Sequence, residues 1–256
     1  MQTKKLFLTL FFIVSGLCVF AQVEDSNALL SAVDSLISFA DTDLSAEYTL
    51  VNRKPGGATS TTVAAMFRRD AKDQFVILIL EPAIDKGKGY LKTGENLWLY
   101  DPADSSFTFT SAKDRFQSMC IRNSDFNRPN YSGNYSVLSA EKETLGKFEC
   151  TVLKLEATNN SIAYPISKIW VSSDNLIRKI EDYSLSGQLM RSTAIPSYQK
   201  LDERWLPQTM VIQDNLVYKI VNNKKEYERT TVTIKNPSLQ KLPDTIYTKE
   251  YLQRMR

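Results

Sequence analysis

The sequence predicts a mainly β chain with some helix (α+β): a strongly curved antiparallel sheet, in effect an incomplete β-barrel, with helices lining or capping its concave face. Three observations point there. One amphipathic helical stretch comes first. Strand patterning then runs for roughly 190 residues, punctuated by short turn signals. No internal repeat and no Ser/Pro-rich linker divides the 256 residues.

The composition fits that class. Hydrophobic residues make up 43% and charged residues 24%, with 12 Phe, 12 Tyr and only nine Gly and nine Pro. Collagenous, low-complexity and disordered chains are thereby excluded. Histidine is absent altogether. That removes Ser-His-Asp and Cys-His nucleophiles, His-zinc sites and imidazole proton shuttles.

At the N-terminus, Lys4 and Lys5 precede an apolar run from Leu6 to Val14 and then small residues. This is the layout of a secretory signal peptide, with Val19 and Ala21 placing the cut after Ala21. The expected organisation is a signal peptide over 1–21 and a single domain over 22–256. The apolar run falls short of the about 20 residues a membrane span needs. Cys18 is a poor lipidation site because Leu17, not a small residue, precedes it. The expectation is a soluble, exported protein.

Asp25 and Ser26 can cap the first helix, in which Leu29, Leu30, Val33, Leu36 and Ile37 recur at helical spacing. The Asp41-Thr42-Asp43 turn ends it. Strands are expected over 44–53 and 60–69 around a Pro55-Gly56-Gly57 turn, then over 74–80, 89–93, 96–100 and 106–110. Residues 111–134 break the rhythm and predict a short helix at 113–119 and an irregular segment lying over one mouth of the sheet. Strands resume at 135–143, 148–157, 167–172, 176–183, 189–198, 208–214 and 229–235. Residues 216–221 read as another strand or a link. A short helix over 245–256 closes the chain, with Ile246, Tyr247, Tyr251 and Leu252 as its buried side.

Phe75-Val-Ile-Leu-Ile-Leu80 is apolar on both faces, as in a strand covered twice or in a cavity wall. Trp98 and Tyr100 share one face of their strand, and Phe107 and Phe109 one face of the next; each set suits a core or an apolar pocket. Cys120 and Cys150 could pair in an oxidising compartment, yet Cys150 alternates with Phe148 and Val152 like a small core residue. The carboxylate pairs Asp101/Asp104, Asp41/Asp43 and Glu181/Asp182 fall in turns or at strand ends, not in the opposed environments that acid–base catalysis needs. Phosphate-loop, G-x-S-x-G and Ser-x-x-Lys motifs are missing. With 32 basic and 29 acidic residues, and Arg68-Arg69 and Lys224-Lys225 as short runs, nothing selects nucleic acid. No cofactor and no enzymatic activity are expected.

The segment Lys86-Gly-Lys-Gly-Tyr-Leu-Lys-Thr-Gly-Glu-Asn-Leu-Trp-Leu-Tyr-Asp-Pro102 resembles the outer-membrane lipoprotein-sorting (LolA-like) carriers. They share a glycine-bearing strand followed by a G-x-x-L-W-x-Y-x-P hairpin, here Gly94 to Pro102. Asp114-Arg-Phe-Gln-Ser118 and Ser124-Asp-Phe126 resemble the family's next segment. The resemblance implies an incomplete barrel with a helical lid over an apolar cavity, and a soluble periplasmic carrier or chaperone that shelters acyl chains of a lipoprotein or lipid during transfer toward the outer membrane. It implies transient contact with an inner-membrane exporter and an outer-membrane acceptor, and a monomer. The expected cavity lining is Met66, Ile77, Ile79, Trp98, Tyr100, Phe107 and Phe109. Arg68 and Arg69 are candidates for the family's lid-locking basic residue. This chain departs from a minimal carrier in its length and in segment 111–134, which leaves the cargo open. A lipid or envelope-stress sensor regulating a partner through the same cavity is the alternative, and a hydrolase using carboxylate or Tyr/Lys groups the third reading.

Overall fold

A computed structural model describes residues 25–255; the expected signal peptide over 1–21 and Cys18 lie outside the described residues. Residues 25–36 are helical (α1), one turn shorter than the apolar spacing suggests. Leu30 and Val33 are its buried stripe. The strands follow: β1 (Leu44–Arg53), β2 (Thr59–Arg69), β3 (Gln74–Glu81), β4 (Gly89–Thr93), β5 (Asn96–Asp101) and β6 (Ser106–Phe109). After an irregular stretch come α2 (Tyr131–Asn134), β7 (Tyr135–Leu145), β8 (Phe148–Ala157), β9 (Ile166–Ser172) and β10 (Ile177–Tyr183). The last elements are β11 (Leu189–Leu201), β12 (Arg204–Val221), β13 (Lys224–Leu239) and α3 (Lys249–Arg254).

Among the described residues, thirteen strands join one antiparallel sheet in the order β6-β5-β4-β3-β2-β1-β13-β12-β11-β10-β9-β8-β7. It is an incomplete curved barrel, since β6 and β7 are its two free edges. Every neighbouring pair is consecutive in sequence except β1 and β13. This topology has one consequence for function: the connection from β6 to β7 must run from one edge of the sheet to the other. Residues 110–130 do so across the concave face. The edges themselves are protected against pairing with other chains. β6 is only four residues long, and β7 exposes Glu141, Lys142 and Glu143.

Strand alternation divides the interior in two. On the concave side, Leu50, Met66, Phe75, Ile77, Ile79, Val232 and Ile234 meet Phe39 and the 116–126 stretch. Further round, α1 covers Leu153, Leu155, Ile169 and Val171 with Leu30 and Val33. On the opposite side, Val76, Leu78, Leu91 and Tyr100 pack on Tyr247 and Leu252 of the C-terminal segment. The Phe75–Leu80 run is therefore apolar on both faces because both faces are covered.

The C-terminal cover departs from the expected single helix. A 3-10 turn at Asp244–Tyr247 precedes α3, and Thr248 between them caps α3 by accepting a hydrogen bond from the Tyr251 amide. A Cβ at Gly89 would stand 2.4 Å from Leu252 Cδ2, so β4 needs glycine where α3 crosses it. Gly89→Ala is expected to cost about 1–3 kcal/mol by over-packing. An unchanged urea midpoint in that variant would mean α3 is not tightly docked.

A charged cluster ties the same segment down. Arg69 donates to both carboxylate oxygens of Asp43 at 2.9 Å, bonds Asp244 and the Leu242 carbonyl, and lies over the Tyr247 ring. Burial pushes the Asp43 carboxyl up, but hydrogen bonds from Arg69 and the Leu242 amide outweigh it and hold it below its ordinary 3.8. The folded value lies below the unfolded one. Stability from Asp43 is therefore present above pH 3.8 and is lost as pH falls through the folded value. An acid titration of tyrosine fluorescence should show this transition in the native chain and lose it in Asp43→Asn.

β12 and β13 are longer than their patterns suggest. The expected 208–214 and 216–221 strands are one 18-residue strand interrupted by a register shift between Asp214 and Tyr218. Asn222 and Asn223, both with positive φ, form the two-residue turn that carries the pairing out to Lys224.

Candidate functional site

The candidate site is the concave face beneath residues 110–130. Instead of the expected helix at 113–119 there are two 3-10 turns, Phe116–Ser118 and Asn123–Phe126. The stretch has no long helical ladder of its own; side chains anchor it. Phe116, Met119, Ile121 and Phe126 are buried against the sheet. Phe116 lies 4.8 Å from both the Tyr90 and Phe126 rings, and Phe126 reaches Tyr48 and Phe75. The segment acts as a plug.

Two polar clasps hold the plug, and both use polar residues at inward-facing strand positions. In the first, Arg115 bonds Glu228, whose other oxygen accepts from the Asn52 amide at 2.9 Å. Thr230 donates to Asn52 at 2.8 Å and accepts from the Cys120 backbone amide at 3.0 Å. Asn52, Glu228 and Thr230 are all buried. They stand in phase with Leu50, Val232 and Ile234 along β1 and β13.

In the second clasp, Arg191 of β11 donates to Asp125 of the plug at 2.7 Å and to Asp182 of β10 at 2.9 Å. Ser167 donates to the other oxygen of Asp182, and the Tyr164 ring lies beneath the guanidinium. Arg122 of the plug bonds the Tyr164 hydroxyl. Burial pushes the Asp182 carboxyl up more than Arg191 pulls it down. Burial also works against the Arg191 charge, but Asp125 and Asp182 overcome it and keep the guanidinium firmly protonated. The pair thus acts as a latch that is costly to break, and its desolvation offsets much of its net contribution to stability.

A third link joins the two covers of the concave face. Asp34 on α1 accepts hydrogen bonds from the Tyr131 and Ser132 amides and the Ser132 hydroxyl, capping α2 from another helix. The resulting interior is filled. An opening bounded by Arg115, Cys120, Arg122, Tyr164, Arg191 and Leu216 holds about 30 Å³, the room of about one water.

The seven residues expected to line one cavity divide between the two faces. Met66, Ile77 and Ile79 are buried on the concave face under the plug. Trp98, Tyr100 and Phe107 belong to the opposite face with Tyr247 and Leu252. Phe109 stacks on Trp98 at the free edge and is 64% exposed. The reason is register: Trp98 and Tyr100 pair with Phe109 and Phe107, so alternation turns all four outward. On β5 the residues that face the concave side are Leu97 and Leu99. Arg69 holds the C-terminal segment, and Arg68 pairs with Asp70, which accepts from the Phe39 amide. The basic residues on the plug's clasps are instead Arg115 and Arg191. Cys120 and Cys150 are free and buried on opposite sides of the sheet. Cys150 packs with Val152 and Trp170 as a core residue.

Known structures share this open, curved sheet. A LolA superfamily protein from Nitrosomonas europaea superposes with a TM-score of 0.72 at 24% identity, over 88% of this chain and 97% of that one. A DUF1329 family protein from Desulfovibrio piger gives 0.79 at 19% identity, over 91% and 99%. An outer membrane lipoprotein-sorting protein domain from Vibrio parahaemolyticus gives 0.76 at 17% identity, over 88% and 97%. The class is thus that of LolA-like folds. A family model described as "Uncharacterized protein" matches residues 71–254, and the chain belongs to that family. No curated protein sequence matches it.

Proposed function

We propose that this protein is a soluble periplasmic carrier or chaperone that takes acyl chains of a lipoprotein or lipid onto its concave face, where the plug now lies. It acts by binding and has no bond to break. One observation carries this reading: the apolar concave face is covered by an irregular connection pinned through two polar clasps, where regular secondary structure could have sealed it. The lining for an acyl chain is Leu50, Met66, Ile77, Ile79, Val232 and Ile234, all at most 3% exposed beneath the plug.

The energetics are balanced in a way that suits transfer. Lifting Phe116, Ile121 and Phe126 off the sheet costs about 1.5–3 kcal/mol each in lost burial. An acyl chain of about a dozen methylenes returns ~10 kcal/mol at ~0.8 kcal/mol per buried CH₂. Capture and release are then both accessible to a protein whose open state is a minor population. In this reading the exchange runs between an inner-membrane donor and an outer-membrane acceptor, as the resemblance to lipoprotein-sorting carriers implies. Native mass spectrometry with a triacylated lipopeptide tests the reading. A one-to-one complex that the deacylated peptide does not form supports it, and a protein that never retains the acylated form refutes it.

A further inference from the structure

The feature that neither the core nor the plug explains is the far end of the β12–β13 hairpin. β11 pairs with β12 only as far as Asp214, opposite Arg191, and β1 pairs with β13 only as far as Arg53, opposite Arg229. Residues 216–227 therefore continue past the sheet as a two-stranded arm. One side of it leans on the β1–β2 turn, where Glu226 accepts from the Gly56 amide. The other side carries apolar groups into solvent: Ile220 is 65% exposed, Leu216 45% and Tyr218 44%. Tyr218 pairs with Tyr227 across the arm, their rings 5.5 Å apart. An isolated two-stranded ribbon is marginal in water and normally hides such residues.

We propose that this arm is a membrane-docking element that seats on anionic lipid headgroups. Charge decides for lipid over another protein strand. Lys219, Lys224 and Lys225 lie on the arm against a single acid, Glu226, which is already engaged with Gly56. Lysines on free strand edges discourage pairing with a second chain. Lys225 shares the apolar face, its long stem beside Tyr218 and Ile220, while Lys219 and Lys224 lie on the reverse face toward the tip. Together they suit an interface where charge meets headgroups and the apolar parts sink below them. Lys225 already lies 4.3 Å from the Tyr218 ring centre. Position fits as well, since Asp214 and Leu216 at the arm's base border the opening beside Arg115 and Arg191. A docked arm brings the mouth of the concave face to the bilayer. The inference stands on the arm's own geometry and does not require that acyl chains enter the concave face.

Co-sedimentation of the processed exported protein with vesicles tests it, comparing phosphatidylcholine mixed with phosphatidylglycerol against phosphatidylcholine alone. The native protein should bind the anionic vesicles and lose binding as salt rises. Replacing Lys219, Lys224 and Lys225 together by Gln should weaken binding by roughly a hundredfold, and Ile220→Ser by roughly tenfold. Circular dichroism should be unchanged in both, because the arm stands outside the core. Binding that neither variant alters, or a protein that stays in the supernatant, overturns the proposal. So does a vesicle-free dimer that Ile220→Ser abolishes, since the arm's occupant is then a second copy. Loss of lipopeptide retention with vesicle binding intact counts against the carrier reading alone.

Discussion

Arg191→Met is expected to lower the free energy of unfolding by about 3–5 kcal/mol, the usual cost of leaving a buried carboxylate without its partner. The carboxylate is Asp182, whose side chain is 4% exposed and whose remaining partner is the Ser167 hydroxyl. Asp125, at 20% exposure, can recover water more easily. Urea denaturation should show the loss as a shifted midpoint with little change in slope. The pH dependence identifies the cause. Burial already raises the Asp182 carboxyl in the native protein, and removing Arg191 raises it further. A raised folded value favours the protonated native state, so the variant's deficit should be largest at neutral pH and shrink in acid. Arg191→Met combined with Asp182→Asn should recover much of the loss at neutral pH. A single variant within ~1 kcal/mol of the native protein would mean that the second clasp carries no strain.

Phe116→Ala should move two measurements in opposite directions. Phe116 is fully buried at the centre of the plug, and truncating it should cost about 3–5 kcal/mol. Part of that cost falls on the closed state alone, because Phe116 belongs to the plug and not to the sheet. The open, binding-competent fraction then rises, and apparent affinity for a fluorescent fatty acid should increase by roughly tenfold to a hundredfold. Leu50→Ala is the matched control. It sits on the sheet wall at 0% exposure, so its stability falls similarly while fatty-acid binding does not improve. Titration of both variants beside denaturation curves checks the pair. If Phe116→Ala weakens binding as well as stability, the plug is simply part of a permanent core.

Most of the sheet was legible because period-two alternation is strong in strands with one or two covered faces. β1, β4 and β8 match their expected bounds, and Cys150 lies on the face that Phe148 and Val152 define. The β12–β13 arm was blurred because its residues are exposed, so no burial pattern marks them. The plug was visible only as a break in rhythm; its position follows from topology, since β6 and β7 are opposite edges of one sheet. The expected lining failed for Trp98, Tyr100, Phe107 and Phe109 because alternation shows which residues share a face but not which face is concave. The clasps did leave a trace in the sequence. Asn52, Glu228 and Thr230 are polar residues in phase with apolar ones, a pattern that marks a buried polar network when read across paired strands.

On the proposed function, the plug must leave the concave face for an acyl chain to bind. Cys120 Sγ in the plug lies 3.9 Å from Asn52 Oδ1 on β1, so Asn52→Cys offers a disulfide that staples plug to sheet. Cys150, buried on the far side, does not compete. Fluorescent fatty-acid binding to the oxidised and reduced forms of this one variant is the most direct measurement. The predicted result is binding in the reduced form that vanishes on oxidation and returns with reductant. Equal binding by both forms would contradict the claim.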